Sequence, residues 1–329
     1  MKKLLSLIFV LTFFVISFNI ANEQENIKKT PMQNVSPLKK KVRFIINPKS
    51  GTKKKRRVLD LIDIYLDKNK FDYEIKYTTA PNHATTLAKE AANQNYDLVI
   101  AIGGDGTVNE ASKGLINSPC ALGIIPMGSG NGFARNLKIP MNTKKAIIAL
   151  NNSYTKSIDI VSINDTYFLG IAGIGFDAHI AHKFAKARKR GFLSYAKIVL
   201  NELNNFKEKP FEMVIDEKKV IKKGFLISFA KSSQYGNNIK IAPSAKIDDG
   251  YIYLTILKKP PFYKFLNLFF RLTNNSIDKS KYLETIKCKN IKIANEKIIT
   301  HIDGEPILFE NGINLKILPN SLKVLINKL

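Results

Sequence analysis

The chain has 329 residues, 45% of them hydrophobic, which is enough apolar material for a sizeable core and excludes global disorder. Lys and Arg outnumber Asp and Glu by 52 to 27, a formal charge of +25 that suits a polyanionic partner: nucleotide, nucleic acid or anionic membrane. The lysines are scattered rather than set in one stripe, and no RNP-like, zinc-finger or helix-turn-helix signature accompanies them, which sets nucleic acid aside.

Met1-Lys2-Lys3 is followed by Leu4 to Ala21, a stretch without charge that reads as a signal peptide or a membrane anchor over residues 1–21. Residues 22–41 are polar, carry Pro31 and Pro37, and read as a linker. Lys28, Lys29 and Lys39 to Lys41 outnumber Lys2 and Lys3, so the positive-inside rule leans towards a body on the cytoplasmic face; export and a true start at Met32 stay open.

A regular pattern begins at Val42. Val42 to Ile46 reads as a strand ending at Asn47-Pro48-Lys49-Ser50-Gly51. Val58, Leu61, Ile62, Tyr65 and Leu66 define a helix face, Tyr73 to Thr78 a second strand, and Ala84, Leu87, Ala88, Ala91 and Ala92 a second helix face. Leu98 to Ile102 is an unbroken apolar run, as expected of a strand buried on both faces. It stops at Gly103-Gly104-Asp105-Gly106-Thr107, where Thr107 is placed to cap a helix through Val108, Ala111 and Leu115. Ala121 to Pro126 gives a fourth strand, running into Gly128-Ser129-Gly130-Asn131-Gly132 and a helix near Phe133 to Leu137.

Strand and helix alternate with short connections, which predicts a parallel sheet covered on both faces. Ligands bind at the carboxyl ends of such strands. The loops at 47–51, 103–107 and 128–132 must then share one edge, and glycine-rich turns feeding helix N-termini suit phosphate. A carboxylate at Asp105 would repel phosphate unless Mg²⁺ lay between them.

After about residue 155 the rhythm changes. Ile158 to Ile163 and Tyr167 to Ile171 flank Asn164-Asp165-Thr166, a hairpin signal, and Gly173 to Asp177 leads into a helical region reaching Phe206. Lys183, Lys186, Arg188, Lys189 and Arg190 cluster there. Strands are expected at 211–215, 224–230, 251–257, 291–294 and 298–302, with a short helix over 260–274 carrying Phe262, Phe265, Leu268, Phe269 and Phe270. So many short strands predict an antiparallel sandwich or barrel. Cys120 and Cys288 read as free buried thiols, and His179 and His182 lack a carboxylate to complete a metal-binding pattern.

The motifs Asn47-Pro-Lys-Ser-Gly51, Gly103-Gly-Asp-Gly-Thr107 with Asn109-Glu110, and Gly128-Ser-Gly-Asn131 resemble, in order and spacing, those of the diacylglycerol kinase catalytic domain. The chain is similar, over about residues 42–329, to bacterial lipid kinases that also resemble sphingosine and ceramide kinases. The resemblance implies an α/β nucleotide domain like that of phosphofructokinase and NAD kinase at 42–155. A β-rich antiparallel sandwich that binds lipid would follow at 156–329, with the active site in the cleft between them. It implies ATP held around Asn47, Pro48, Lys49, Ser50, Gly51, Thr78, Gly103, Gly104, Asp105, Gly106, Thr107, Val108, Asn109 and Ser129. It also implies a structural Mg²⁺ loop in which Asp249 gives a carboxylate and Lys246 and Tyr251 give backbone carbonyls. Glu305, in Ile302-Asp-Gly-Glu305, would accept the proton; read from the residues alone, both Asp-Gly segments are ordinary β-turns. Asn131-Gly132 departs towards the sphingosine kinase form, and Asp177 lies near the position where those enzymes hold the lipid amine.

The expected reaction is γ-phosphoryl transfer from ATP to a lipid hydroxyl at a membrane surface, with Mg²⁺ held through Asp105 and either Glu305 or Asp105 as the base. The sequence leaves the lipid and a homodimer open. An NAD kinase-like enzyme shares Gly-Gly-Asp-Gly but lacks the other two loops. A catalytically silent, membrane-tethered lipid-binding protein would not need Asp105, Asn109, Glu110 and Glu305.

Overall fold

Four parallel strands form where the sequence sets its apolar runs: β1 (Lys40–Ile46), β2 (Phe71–Tyr77), β3 (Leu98–Gly103) and β4 (Ala121–Pro126). Their order is β2-β1-β3-β4, with Ile46 beside Ile102 and Ile102 beside Ile125. All six residues of β3 and all six of β4 are buried, as a strand covered on both faces requires. The structure is a computed structural model that describes residues 38–49, 55–128, 130–187, 192–203, 205–236 and 239–327. The expectations for residues 1–37, Ser50, Gly51, Ser129 and Arg188 to Arg190 fall outside these described residues.

Helices cover both faces of this sheet. On one side α1 (Lys55–Tyr65) brings Val58 and Ile62 against Phe44, Ile100 and Ile102. On the other, α2 (His83–Asn93) and α3 (Asp105–Lys113) bring Ala84, Leu87, Ala88, Val108 and Ala111 against Val99, Ala101 and Leu122. Each fully buried Leu or Ile in these layers contributes about 1.5–3 kcal/mol. Two short helices follow β4: α4 (Gly132–Asn136) and α5 (Thr143–Leu150).

The chain then builds a mostly antiparallel sheet. Asn164, at φ 48, turns β5 (Ser153–Ile163) into β6 (Thr166–Phe168). Gly173 and Gly175 belong to β7 (Ile171–Gly175), after which come α6 (Phe176–Ala185) and α7 (Phe192–Leu203). β8 (Lys209–Ile215) pairs with β9 (Lys218–Gly224), β10 (Leu226–Ala230) continues the sheet, and β11 (Gln234–Gly236) pairs with β12 (Ile239–Lys240). β13 (Ile252–Leu257), α8 (Phe265–Thr273), β14 (Leu283–Cys288), β15 (Asn290–Ile302) and β16 (Glu305–Asn327) complete the chain.

β5 and β16 tie the two halves together. β16 pairs antiparallel with β5 from Leu315 to Leu318 and again from Leu322 to Asn327. Between those stretches Pro319 and Asn320, at φ 52, bend it, and Val324 then lies parallel beside Leu122 of β4. The last strand of the chain therefore extends the first sheet. Both cysteines are buried and free, and burial pushes each thiol up to about 12, so neither is a reactive thiolate. Among the described residues no helix is long and apolar enough to cross a membrane.

Candidate active site

The three glycine-rich turns meet because β1, β3 and β4 are parallel neighbours and each turn leaves a carboxyl end. Asn47 donates from Nδ2 to Thr107 Oγ1 at 3.1 Å, joining the first turn to the second. Asn131 donates its backbone N–H to Asp105 Oδ2 at 2.8 Å, joining the second to the third. The second and third turns also touch through backbone: a Cβ on Gly128 would lie 2.8 Å from the Cα of Gly104. Gly128→Ala is expected to part the turns, at a cost of about 1–3 kcal/mol in stability, and to lower kcat/KM by about 10²-fold at temperatures where the variant is folded. Wild-type kinetics in the variant would show that the close approach is not needed.

One expectation is corrected. Thr107 does not cap the helix; α3 begins two residues earlier, with Gly104 at the cap in extended conformation and Asp105 in the first turn. Thr107 and Val108 point into the protein, 4% exposed each, and Thr107 serves as the acceptor for Asn47. A glycine cap costs only a few tenths of a kcal/mol against a serine or aspartate, and it frees the Asp105 carboxylate for the third turn. Thr78 closes β2 beside these turns, its N–H on the carbonyl of Ile46 at 2.9 Å.

A fourth segment reaches the same place from the end of β15. Asp303 and Gly304, at φ 48 and 89, make the tight turn into β16. Asp303 accepts four hydrogen bonds: Gly170 and Ile171 N–H on Oδ1, at 2.9 and 3.0 Å, and Leu169 N–H and Asn109 Nδ2 on Oδ2, at 3.1 and 2.7 Å. The aspartate thus latches the turn onto α3. Glu305, the first residue of β16, then faces the head of that helix, since a Cβ on Gly106 would lie 3.1 Å from Glu305 Oε1.

The electrostatics around Asp105 and Glu305 are those of crowded carboxylates. Burial, and after it the charge of Asp303, push the Asp105 carboxyl up against the lowering effect of the Asn131, Gly132 and Phe133 N–H groups. The Glu305 side chain keeps solvent contact, but the protein packed around it raises its carboxyl, Lys113 opposes the rise, and Glu110 and Asp303 add to it.

The two places where Mg²⁺ is expected differ in fit. Among the described residues no three His, Cys, Asp or Glu groups converge as a protein cage. Mg²⁺ in phosphoryl-transfer sites is held by one or two carboxylates together with phosphate oxygens and water, and Asp105 at the head of α3 fits that mode. The 245–251 loop does not fit. There the Lys231 ammonium, 0% exposed, contacts Asp249 Oδ1 at 3.0 Å, the carbonyl oxygen of Tyr251 at 2.9 Å and Asp159 Oδ2 at 2.9 Å. Asp249 Oδ2 accepts from the Tyr253 hydroxyl at 2.6 Å, with Lys287 at 3.5 Å. Burial works against ionisation of Asp249, but Tyr253 and Lys231 outweigh it and hold its carboxyl below the usual range. The loop's carboxylate and its Tyr251 carbonyl already face an ammonium, and a divalent ion there would meet a like charge. A cavity of about 320 Å³ beside this loop is lined by Tyr251, Lys289 and Lys316, away from the glycine-rich turns.

Asp177 opens α6, and its Oδ2 pairs with His301 Nε2 at 2.9 Å on the strand that leads to the Asp303 turn. His179 pairs with Glu202, and His182 contacts the carbonyl of Thr300, so both histidines serve in packing of α6. Sequence reasoning missed three residues. Asp303 had a signal, as the aspartate of an Asp-Gly turn, but Asp159, within the apolar half of β5, and Lys231, directly after β10, gave none.

Comparison with known proteins agrees with this architecture. A model of the diacylglycerol kinase catalytic domain matches residues 41–163, and one of the YegS C-terminal NAD kinase beta sandwich-like domain matches 170–326. A diacylglycerol kinase of Bacillus subtilis (strain 168) is 30% identical over 272 residues, 81% of this chain and 90% of that protein. One from Staphylococcus saprophyticus is 29% identical over 298 residues, 87% and 98% of the two chains. A solved structure of a Bacillus anthracis str. Sterne protein assigned as a diacylglycerol kinase superposes with a TM-score of 0.73 at 26% identity, covering 88% of this chain and 97% of its own. With its α/β half, its β-rich half and near full-length relatives, the chain belongs to the diacylglycerol kinase family of lipid kinases.

Proposed function

We propose that the protein transfers the γ-phosphoryl group of ATP to the hydroxyl of a membrane lipid, with diacylglycerol the first candidate and a sphingoid or related lipid the second. The observation that carries this reading is the mutual bonding of the three glycine-rich turns, with Glu305 brought against Gly106 by the Asp303 latch. The turns offer backbone N–H groups and a helix N-terminus to phosphates. Asn47 to Gly51, Thr78, Gly103 to Asn109 and Ser129 are the residues assigned to ATP, and Asp177, tied to His301, is assigned to the lipid. Mg²⁺, held through Asp105, would neutralise charge on the phosphates when bound. Glu305 takes the hydroxyl proton as the oxygen attacks, a task that needs an ionised carboxylate within hydrogen-bond reach. ATP is a cytoplasmic nucleotide, so this reading puts the reaction on the cytoplasmic face of the membrane.

The test is an assay with γ-labelled ATP and a panel of extracted lipids. Label is expected in the lipid fraction. Label in added NAD instead would favour an NAD kinase-like activity, and label in neither would favour a lipid-binding protein without catalysis.

A further inference from the structure

α8 is amphipathic in an unusual sense: its inner side is narrow and its outer side is apolar. Leu268 is seated with Leu257 and Ile277, and Phe265 packs on Phe225 with ring centroids 6.2 Å apart. Leu272 packs against the same cluster, while four other large side chains of this segment face water. Tyr263 is 76% exposed, Leu266 67%, Phe269 46% and Phe270 56%. Four such groups within eight residues form a patch of the kind that marks an interaction surface.

The charges around this patch identify the partner. Residues 258–281 hold Lys258, Lys259, Lys264, Arg271, Lys279 and Lys281 against one carboxylate, Asp278. Lys264 lies over the ring of Tyr263 at 5.5 Å. A second copy of this chain would set these cations against its own, at a cost in repulsion. An anionic bilayer accepts both features, since the aromatic rings enter the headgroup boundary and the cations meet lipid phosphates. The patch also continues inward. Phe225 stacks on Phe176 at 4.3 Å, and Phe176 precedes Asp177, the partner of His301.

We infer that α8 with Tyr263 is the element that docks the protein on anionic lipid, setting the aromatic Phe225–Phe176 layer beneath it towards the membrane. This rests on the lipid kinase reading only for its purpose, because docking is measured without catalysis. The chain has no tryptophan, so Phe270→Trp makes a single fluorescent reporter. On phosphatidylglycerol vesicles its emission is expected to shift to the blue and to be quenched by brominated acyl chains. The same reporter at Ile64→Trp, exposed on α1, is expected to do neither. The double variant Phe269→Ser, Phe270→Ser is expected to bind these vesicles about 10²-fold more weakly. Its activity on lipid dispersed in detergent should match wild type. Equal signals from both reporters, unchanged binding of the double variant, or equal binding to phosphatidylcholine vesicles would each overturn the docking assignment. Docking as described with no lipid phosphorylated by wild type would instead sink the kinase reading and leave the surface standing.

Discussion

Replacing Glu305 by glutamine is expected to lower kcat by about 10²–10⁴-fold and leave KM for ATP unchanged, which is the range for losing a positioned general base. The variant should fold, because the turn that presents the residue is made by Asp303 and Gly304, with Asp303 held by four hydrogen bonds. The pH profile gives a second reading of the same residue. A base works only when ionised, and the protein packed around the Glu305 carboxyl raises it above the ordinary glutamate range. The acid limb of kcat in wild type should therefore lie at higher pH than an unperturbed glutamate would give, and Glu305→Gln should lack it.

Asp105→Asn separates the two carboxylates. The amide oxygen can still accept the Asn131 N–H, so the link between turns survives. Asp105 is raised in the folded protein, so its ionised form is penalised once the pH exceeds its unfolded value, fully so above the folded one. At neutral pH the neutral asparagine removes that penalty, and the variant should be at least as stable as wild type while phosphorylation is abolished. If the acid limb survives in the residual activity of Glu305→Gln, the assignment of the base to Glu305 is wrong and Asp105 takes its place.

The first half of the fold was legible because its strands are uninterrupted apolar runs such as Leu98 to Ile102, and its turns carry glycine in clusters. The second half was legible in kind more than in detail. β9 escaped notice since Lys218, Lys219, Lys222 and Lys223 mask its alternation. β16 did so since Pro306, Gly312 and Pro319 break the longest strand into pieces that read as turns. The site splits the same way. Loops that follow neighbouring parallel strands have to meet, so the convergence of residues 47, 105 and 131 followed from the alternation of strand and helix. The latch between Asp303 and Asn109 spans 194 positions and depends on an antiparallel hairpin returning to α3, which no local pattern encodes.

Lys231 is the sharpest case of a role that sequence hides, and its replacement should have the largest effect on stability. Removing one partner of a buried ion pair costs about 3–5 kcal/mol, because the other charge stays buried without compensation. In Lys231→Met that burden falls on Asp159, 2% exposed, whose remaining contacts are the N–H groups of Gly250 and Asn320 at 2.7 and 3.0 Å. A fall in melting temperature of about 5–15 °C is expected for a chain of this size. The metal arm of the experiment decides what the lysine does. With the ammonium already on Asp249 and Tyr251, wild type should melt at the same temperature in EDTA and in excess Mg²⁺. In Lys231→Met the loop regains two facing carboxylates and a free carbonyl, the oxygen set that suits a hard cation. Mg²⁺ should then restore stability with concentration, by about 2.7 kcal/mol at a hundredfold excess over its Kd. A wild-type protein that loses stability in EDTA would mean that the cation and the lysine share the loop, and the ammonium would then be a neighbour of the metal and not its substitute.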